Sequence, residues 1–305
     1  MALFNIDTKF NLIKQIPFKL EKEIQNLTEV NLEAILKLQF VKSEFALNNF
    51  RIDTLAFDKE SNSFVIIEYK RDKNFSVIDQ GYAYLSLMLN NKADFILEYN
   101  EQCERTLKRN DIDWSQSKVI FVSPSFTNFQ HEAINFKDLP IELWEVKKYE
   151  NKTVKYEQIQ KTNAQESIKT ISHKDEITEK AFDEIKVFTE DEHVKKLGFE
   201  IRELYEILKH RIINLSDDIS LNPRKYFIGF KVDGNTFCDI VFQNKNLKLF
   251  LNLKSGDLDD SKKIARDVSN VGHWGNGSYE IKLNDSEELE YTLSLIKQSL
   301  NRNKE

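Results

Sequence analysis

The fold of the first half of this chain is decided by two β-prone runs, Arg51-Ile52-Asp53-Thr54-Leu55-Ala56-Phe57 and Phe64-Val65-Ile66-Ile67-Glu68-Tyr69-Lys70. The segment between them is polar and typical of a turn, so the pair predicts a β-hairpin. The midpoint of that turn lies halfway between Asp53 and Glu68. In a symmetric register the two carboxylates therefore lie opposite each other on one face of the hairpin.

Two carboxylates in that arrangement repel each other and destabilise a sheet. A divalent cation between them would convert the repulsion into coordination, because such cations prefer hard oxygen ligands and complete their shell with water. Lys70 is two residues after Glu68 on the same strand and points to the same face. It can orient or activate a metal-bound water and stabilise charge that develops on a phosphate. The competing interpretation of Glu68 and Lys70 is a structural salt bridge.

Helical spacing of apolar residues predicts a helix on each side of the hairpin. The first covers residues 21–39, and Glu29 on it offers a third carboxylate. The second covers residues 76–90 and has a serine at its N-cap position. Gln80 and Tyr84 are one turn apart on this second helix, so they share a face and can reach a phosphate or a metal-bound water.

The chain of 305 residues is long enough for two domains. We expect the first at 1–160 and the second at 177–305, joined by a linker at 161–176 that lacks apolar periodicity. The other elements predicted for the first domain are a helix at 92–108, a strand at 119–122 and a hairpin at 141–149 and 154–158. Those predicted for the second are a helix at 199–215, strands at 226–232, 236–242, 247–253 and 279–283, a helical turn near 258–268 and a terminal helix at 286–300.

The composition limits the class of protein. An apolar fraction of 40% indicates a folded, soluble chain, and no window approaches the about 18 uninterrupted apolar residues of a membrane helix. The N-terminus has no secretory signal pattern. Cys103 and Cys238 lack Cys or His neighbours at metal-ligand spacing, which favours reduced thiols in a cytoplasm. The net charge of -6 is unfavourable for a nucleic-acid enzyme, so any contact with DNA must come from local patches helped by a metal.

The order of these residues resembles the PD-(D/E)XK nuclease superfamily. The likeness is to its archaeal mismatch and branched-DNA endonucleases and their bacterial relatives, and it rests on Arg51-Ile52-Asp53, Ile67-Glu68-Tyr69-Lys70 and Gln80-Gly81-Tyr82-Ala83-Tyr84. It covers residues 20–90 well and the rest of the first half loosely. Ile52 stands where the superfamily's name has proline, a departure that many members share.

The resemblance implies an α/β fold with a central mixed sheet, and hydrolysis of DNA phosphodiester bonds with Mg²⁺ or Mn²⁺. Asp53 and Glu68 would bind the metal. Lys70 would assist the attacking water, and Gln80 would support the site as the family's glutamine does.

Two further groups of residues would complete such a site. Glu29 would be the upstream acid and a metal ligand, a role for which Glu23 and Glu33 compete. Contacts with the nucleic acid are expected from three residues close to the central motif, Arg71, Lys73 and Tyr84.

The second half has a likeness of its own, in the glycine-rich residues 272–280 and the helix after them. They resemble a small domain of unassigned function that follows nuclease-type domains in bacterial restriction and defence proteins. A tight turn with Trp274 packed on the domain's own core is the plainer interpretation. His273 and Trp274 are the candidates for stacking on a base or binding a partner.

These features together predict a cytoplasmic, metal-dependent DNA endonuclease, and the resemblance alone implies a role in bacterial restriction or anti-phage defence. Its fold would be an α/β restriction-endonuclease-like mixed sheet flanked by helices, followed by a smaller α+β accessory domain. DNA, a defence-system partner protein and a second copy of the chain are the expected partners, and no membrane contact is expected. The alternative is a nuclease-like module that binds nucleic acid or protein without cutting, which the acidic balance favours.

Overall fold

The computed structural model describes residues 2–6, 9–71, 75–161, 166–167, 184–273 and 275–304. The chain divides into two compact units, Met1–Val187 and Phe188–Glu305. Ile185 packs in the core of the first unit, which therefore extends past residue 160. Most of the predicted linker, 161–176, lies outside the described residues, so its limits stay a prediction.

A seven-stranded mixed sheet forms the centre of the first unit. The strands of this unit are β1 (Leu3–Asn5), β2 (Asn11–Ile13), β3 (Gln15–Ile16), β4 (Gln39–Leu47), β5 (Phe50–Asp58), β6 (Ser63–Tyr69), β7 (Lys118–Ser123), β8 (Ile141–Tyr149) and β9 (Val154–Gln158). The sheet has the order β3-β8-β7-β6-β5-β4, and β9 also pairs with β8. Strands β6, β7 and β8 run parallel, whereas the other pairs are antiparallel. Strands β1 and β2 form a separate two-stranded sheet.

Helices pack on both faces of the seven-stranded sheet. They are α1 (Glu21–Val30), α2 (Leu32–Leu36), α3 (Val77–Asn90), α4 (Lys92–Gln102) and α5 (Asn128–Ala133). Every residue of β6 is buried, because successive side chains point to opposite faces and both faces are covered. Phe64 and Ile66 pack in a cluster with α3 and α4, whereas Val65 and Ile67 pack in a cluster with Ile24 of α1. The predicted class, a mixed sheet flanked by helices, is confirmed.

The hairpin of β5 and β6 has the symmetric register that the sequence predicts. Asp58 Oδ1 accepts hydrogen bonds from two backbone N–H groups of the turn, at 2.9 and 3.3 Å, and so fixes where the chain reverses. Thr54 pairs with Ile67 at the far end of the ladder. The same register places the preceding residue, Asp53, opposite Glu68.

The predicted helix at 21–39 is wrong in its last part. Helices α1 and α2 cover its beginning, and Lys37 then adopts a left-handed φ of 56° that ends the helical path. Residues 39–47 form β4, a strand that the sequence analysis did not predict, and it pairs with β5. Val41 and Phe45 of β4 are buried. Packing of these side chains holds the segment as a strand, although the segment before it has helical spacing.

The second unit is a six-stranded antiparallel sheet packed against helices. Its elements are α6 (Glu190–Val194), α7 (Phe199–Ile213), β10 (Ser220–Pro223), β11 (Ile228–Val232), β12 (Asn235–Phe242), β13 (Leu247–Leu251), β14 (Ala265–Asp267), β15 (Tyr279–Leu283) and α8 (Leu289–Asn303). The strand order is β10-β11-β12-β13-β15-β14, and α7 and α8 share one core with the sheet. The helical turn predicted near 258–268 is wrong, since that segment contains β14. Within the described ranges, no helix of either unit has the length and apolar character that crossing a membrane requires.

Candidate active site

The open end of the β5–β6 hairpin carries two carboxylates on one face. Glu68 occupies the side of β6 that packs against α3, because Ile67 and Tyr69 on either side of it face α1, and the register of the hairpin places Asp53 opposite it. Glu68 is only 4% exposed. Asp53 is half-buried, and its Oδ2 accepts a hydrogen bond of 3.0 Å from the backbone N–H of Tyr69. The hairpin therefore holds two acids side by side.

Three side chains converge on Glu68. Lys70 Nζ lies 2.7 Å from Glu68 Oε1, and Gln80 Nε2 donates to the same oxygen at 3.1 Å. Tyr84 OH donates to Glu68 Oε2 at 2.8 Å. The salt bridge between Lys70 and Glu68 thus exists, but it is one of three contacts to a single buried carboxylate.

Helix α3 brings Gln80 and Tyr84 to this carboxylate by lying close to the sheet. Gly81 permits that approach, since a Cβ at this position would lie 2.4 Å from Cδ1 of Ile141 on β8. The helix begins after Ser76, whose side chain accepts a hydrogen bond from a backbone N–H of the first turn, as the sequence predicts. The local sequence therefore sets both the start of the helix and its distance from the sheet.

The pKa of Asp53 is raised in this arrangement. Burial and, next in size, the charge of Glu68 raise the pKa of Asp53 from 3.8 to about 6. The N–H of Tyr69 and the ammonium of Lys70 act in the opposite direction without cancelling the rise. The carboxyl group of Asp53 therefore holds its proton to a higher pH than an ordinary aspartate does, first because it is buried and second because it faces Glu68.

Glu29 lies on the other face of the sheet. Its Oε1 accepts hydrogen bonds from Thr54 Oγ1 at 2.6 Å and from Gln25 Nε2 at 2.9 Å. Thr54 follows Asp53 in β5 and so points away from the face that carries Asp53 and Glu68. The structure groups Glu29 with a polar network under α1, and not with the two carboxylates whose metal it was predicted to share.

The two competing helix acids do not replace Glu29. Glu23 pairs with Lys148, and Glu33 is exposed on α2. A carboxylate that the sequence did not indicate is closer to the site: Glu44 on β4. The pairs Ser43–Thr54 and Phe45–Ile52 flank it, which places it level with Asp53 on the neighbouring strand.

The residues predicted to contact nucleic acid have different surroundings. Arg71 is exposed, and its Nη1 donates to the backbone carbonyl of Lys19 at 2.9 Å. Tyr84 is 6% exposed and donates to Glu68, so its geometry suits support of the carboxylate better than contact with a phosphate. Lys73 lies outside the described residues.

The donor set fits a cation that keeps much of its water. In the part of the chain that the structure describes, no group of three or more His, Cys, Asp or Glu side chains is arranged to hold a metal ion. Asp53 and Glu68 offer two carboxylates, and Mg²⁺ is commonly bound by one or two carboxylates together with waters and a substrate phosphate. A carboxylate oxygen has further lone pairs, so the hydrogen bonds to Glu68 leave it able to bind a cation.

In the second unit, His273 packs face to face on Phe250, with ring centroids 4.9 Å apart and an interplanar angle of 6°. Its Nδ1 lies 2.7 Å from the carbonyl oxygen of Val271, and its Nε2 lies 2.9 Å from that of Gly277. The imidazole therefore links two backbone carbonyls of the glycine-rich segment. Trp274 lies outside the described residues, and binding at either residue stays a prediction.

Comparison with known proteins gives a relative for the whole chain and a domain family for its second unit. An uncharacterized protein of Haemophilus influenzae is 54% identical over 288 residues, which are 94% of this chain and 95% of that protein. This chain belongs to the same family. A domain of unknown function, DUF5655, matches residues 190–302 and so falls within the second unit.

Solved structures that are similar to part of this chain include endonucleases. A complex of EndoMS with double-stranded DNA shows 16% identity and a TM-score of 0.28 over 48% of this chain and 64% of that one. A repair endonuclease from Pyrococcus abyssi shows 14% identity and a TM-score of 0.22 over 44% and 60%. This chain thus spans less than two thirds of each of these proteins.

Proposed function

We propose that the first unit hydrolyses DNA phosphodiester bonds with Mg²⁺ or Mn²⁺, as a PD-(D/E)XK nuclease. One observation carries the proposal: Asp53 and Glu68 face each other across the hairpin, and Lys70, Gln80 and Tyr84 all meet at the second carboxylate. These are the residues on which the resemblance to the superfamily rests. Their assembly in one cluster supports a catalytic role over a set of unrelated structural contacts.

The side chains of the cluster have separable parts in the hydrolysis. Water forms a new P–O bond, and the P–O bond to the leaving oxygen breaks. Asp53 and Glu68 would hold a cation, which when bound supplies Lewis acidity toward a phosphoryl oxygen and a more acidic water. Lys70 presents N–H donors beside Glu68, where they can orient the attacking water or stabilise negative charge on the phosphate.

Gln80 and Tyr84 act through Glu68. Each donates a hydrogen bond to one of its two oxygens, so the carboxylate is fixed in orientation before any ligand arrives. A carboxylate held in this way binds a cation with less loss of side-chain freedom. The two residues are therefore positioning residues for the proposed site.

The setting of this reaction is part of the proposal. A role in bacterial restriction or anti-phage defence and a location in the cytoplasm follow from the resemblance and the sequence composition. A homodimer would bring two such sites to the two strands of a duplex, and the second unit would contact a partner protein of the same defence system.

The decisive experiment compares Glu68→Gln with Glu142→Gln. Glu142 is also a strand carboxylate paired with a lysine, Lys118 at 2.6 Å, but it lies on β8 outside the cluster. We expect wild-type protein and Glu142→Gln to nick supercoiled plasmid with Mg²⁺ or Mn²⁺, and Glu68→Gln to be slower by about 10³-fold. Absence of cleavage by wild type with either metal, or equal rates for the two variants, would overturn the proposal.

A second candidate function is a nuclease-like module that binds nucleic acid or protein without cutting. The net charge of -6 favours the protein-binding form of this module, since it makes the chain a weak general binder of polyanions. Retained DNA binding by wild-type protein, together with no nicking under either metal, is the result that would select this alternative.

A further inference from the structure

A cluster of two cations and one acid lies beside Asp53. It consists of Lys22, Glu44 and Arg51, which belong to α1, β4 and β5. We infer that Lys22 and Arg51 bind the backbone phosphates of the nucleic acid next to the bond that is cut. This inference rests on the proposed nuclease function and gives an acidic chain a local means of holding a polyanion.

Arg51 has the position that such a contact needs. It precedes Asp53 by two residues in β5, which places the two backbones about 7 Å apart along the strand. Its side chain is 70% exposed. Its Nε lies 2.9 Å from Glu44 Oε2, and a guanidinium has further N–H donors with which it can bind a phosphate in bidentate fashion.

Lys22 on α1 contacts Glu44 of β4 directly and is linked to Asp53 of β5 through Gln25. Its Nζ lies 2.7 Å from Glu44 Oε1 and 3.1 Å from Gln25 Oε1. Gln25 is buried, and its Nε2 donates to the backbone carbonyl of Asp53 at 2.8 Å. Lys22 is 49% exposed, so it combines a fixed place near Asp53 with access to solvent and ligand.

Glu44 sets the charge of the cluster. It lies level with Asp53 between two paired positions of β4 and β5, and its φ of 53° is left-handed. One carboxylate between two cations leaves a net charge of one positive unit. Exposed ion pairs of this kind add only about 0–1 kcal/mol to stability, so stability alone gives little reason for the cluster.

The inference is tested by measuring DNA affinity, which should change in opposite directions when a cation or the acid of the cluster is replaced. Affinity for a short fluorescein-labelled duplex is measured by anisotropy with Ca²⁺, over a series of KCl concentrations. We expect Arg51→Gln and Lys22→Gln each to weaken binding roughly fivefold to tenfold and to reduce the salt slope by about 1. Glu44→Gln should tighten binding by roughly twofold to fivefold, because it leaves both cations without their counter-charge.

Arg211→Gln is the matched control. Arg211 is 51% exposed, pairs with Glu290 at 2.9 Å and belongs to the second unit. Its loss should leave affinity and salt slope unchanged. A purely structural cluster would make Arg51→Gln and Glu44→Gln change binding in the same direction, or leave it as Arg211→Gln does, and either result overturns the inference.

The outcome is separable from that of the nuclease proposal. Wild-type protein that binds and nicks DNA, combined with normal binding by Arg51→Gln and Lys22→Gln, overturns the phosphate contacts and leaves the nuclease standing. Wild-type protein that neither binds nor nicks DNA overturns both. Equal melting temperatures of all variants establish that the changes in affinity are not due to unfolding.

Discussion

The two sheets of this molecule differ in how they accommodate buried carboxylates. In the first unit, Glu68 is well supplied with hydrogen bonds, but Asp53 faces its charge across the strands and has a raised pKa. In the second unit, Asp239 is fully buried and accepts hydrogen bonds from the backbone N–H and side-chain amide of Asn276. Glu280 likewise pairs with Lys248 at 3.1 Å.

The difference indicates which acids serve stability. A buried charge that is hydrogen-bonded or paired can be explained by the fold alone, because removing its partner would be costly. Two like charges opposite each other in a sheet lower stability, so the fold gives no reason to retain them. Strained electrostatics of this kind concentrate at functional sites. The comparison therefore favours function for Asp53 and structure for Asp239.

The largest expected effect on stability is in the second unit. Asp239→Ala should lower the free energy of unfolding by about 3 kcal/mol, because it removes a buried charged acceptor and leaves the donors of Asn276 without it. Urea denaturation followed by tryptophan fluorescence measures the change. Asp267→Ala is the control, since Asp267 is exposed and its loss should matter far less. Equal effects of the two substitutions would remove the contrast between the units.

Asp53→Asn should raise the free energy of unfolding at neutral pH, whereas Asp239→Ala lowers it. The folded-state pKa of Asp53 is about 6 and its ordinary value is 3.8, so the folded protein holds the proton more tightly. The stabilisation that this proton gives is complete below pH 3.8 and is lost as pH rises through 6. At pH 7 with EDTA, the variant should therefore be more stable than wild type by about 2 kcal/mol, and the gain should vanish near pH 3.5. A destabilised variant at pH 7 would mean that Asp53 has a structural role like that of Asp239.

The hairpin could be predicted from sequence because its information is local. A polar turn between two β-prone runs sets the register, and Asp58 holds the turn by bonds to its own neighbours. The start of α3 at Ser76 is equally local. These features predict Asp53, Glu68 and Lys70 as one group, and the shared face of Gln80 and Tyr84 together with the family resemblance adds those two residues.

The remaining parts of the site depend on tertiary packing, which the spacing of residues does not encode. The helical periodicity before residue 39 concealed β4, although Val41, Ser43 and Phe45 alternate with Lys42 and Glu44 as in a strand. Glu44 was missed with it. The side of the sheet on which α1 packs determines whether Glu29 can meet Glu68, and no local pattern indicates that side.

The smallest effect is expected for Glu29→Gln. A glutamine oxygen can still accept the hydrogen bonds from Thr54 and Gln25, and Glu29 lies on the face of the sheet opposite Glu68. Titration with Mn²⁺ by calorimetry should therefore give an affinity within about twofold of wild type, whereas Glu68→Gln should lose at least about tenfold. Equal losses in the two variants would place Glu29 among the metal ligands after all, and the contrast between the two faces of this sheet would fail.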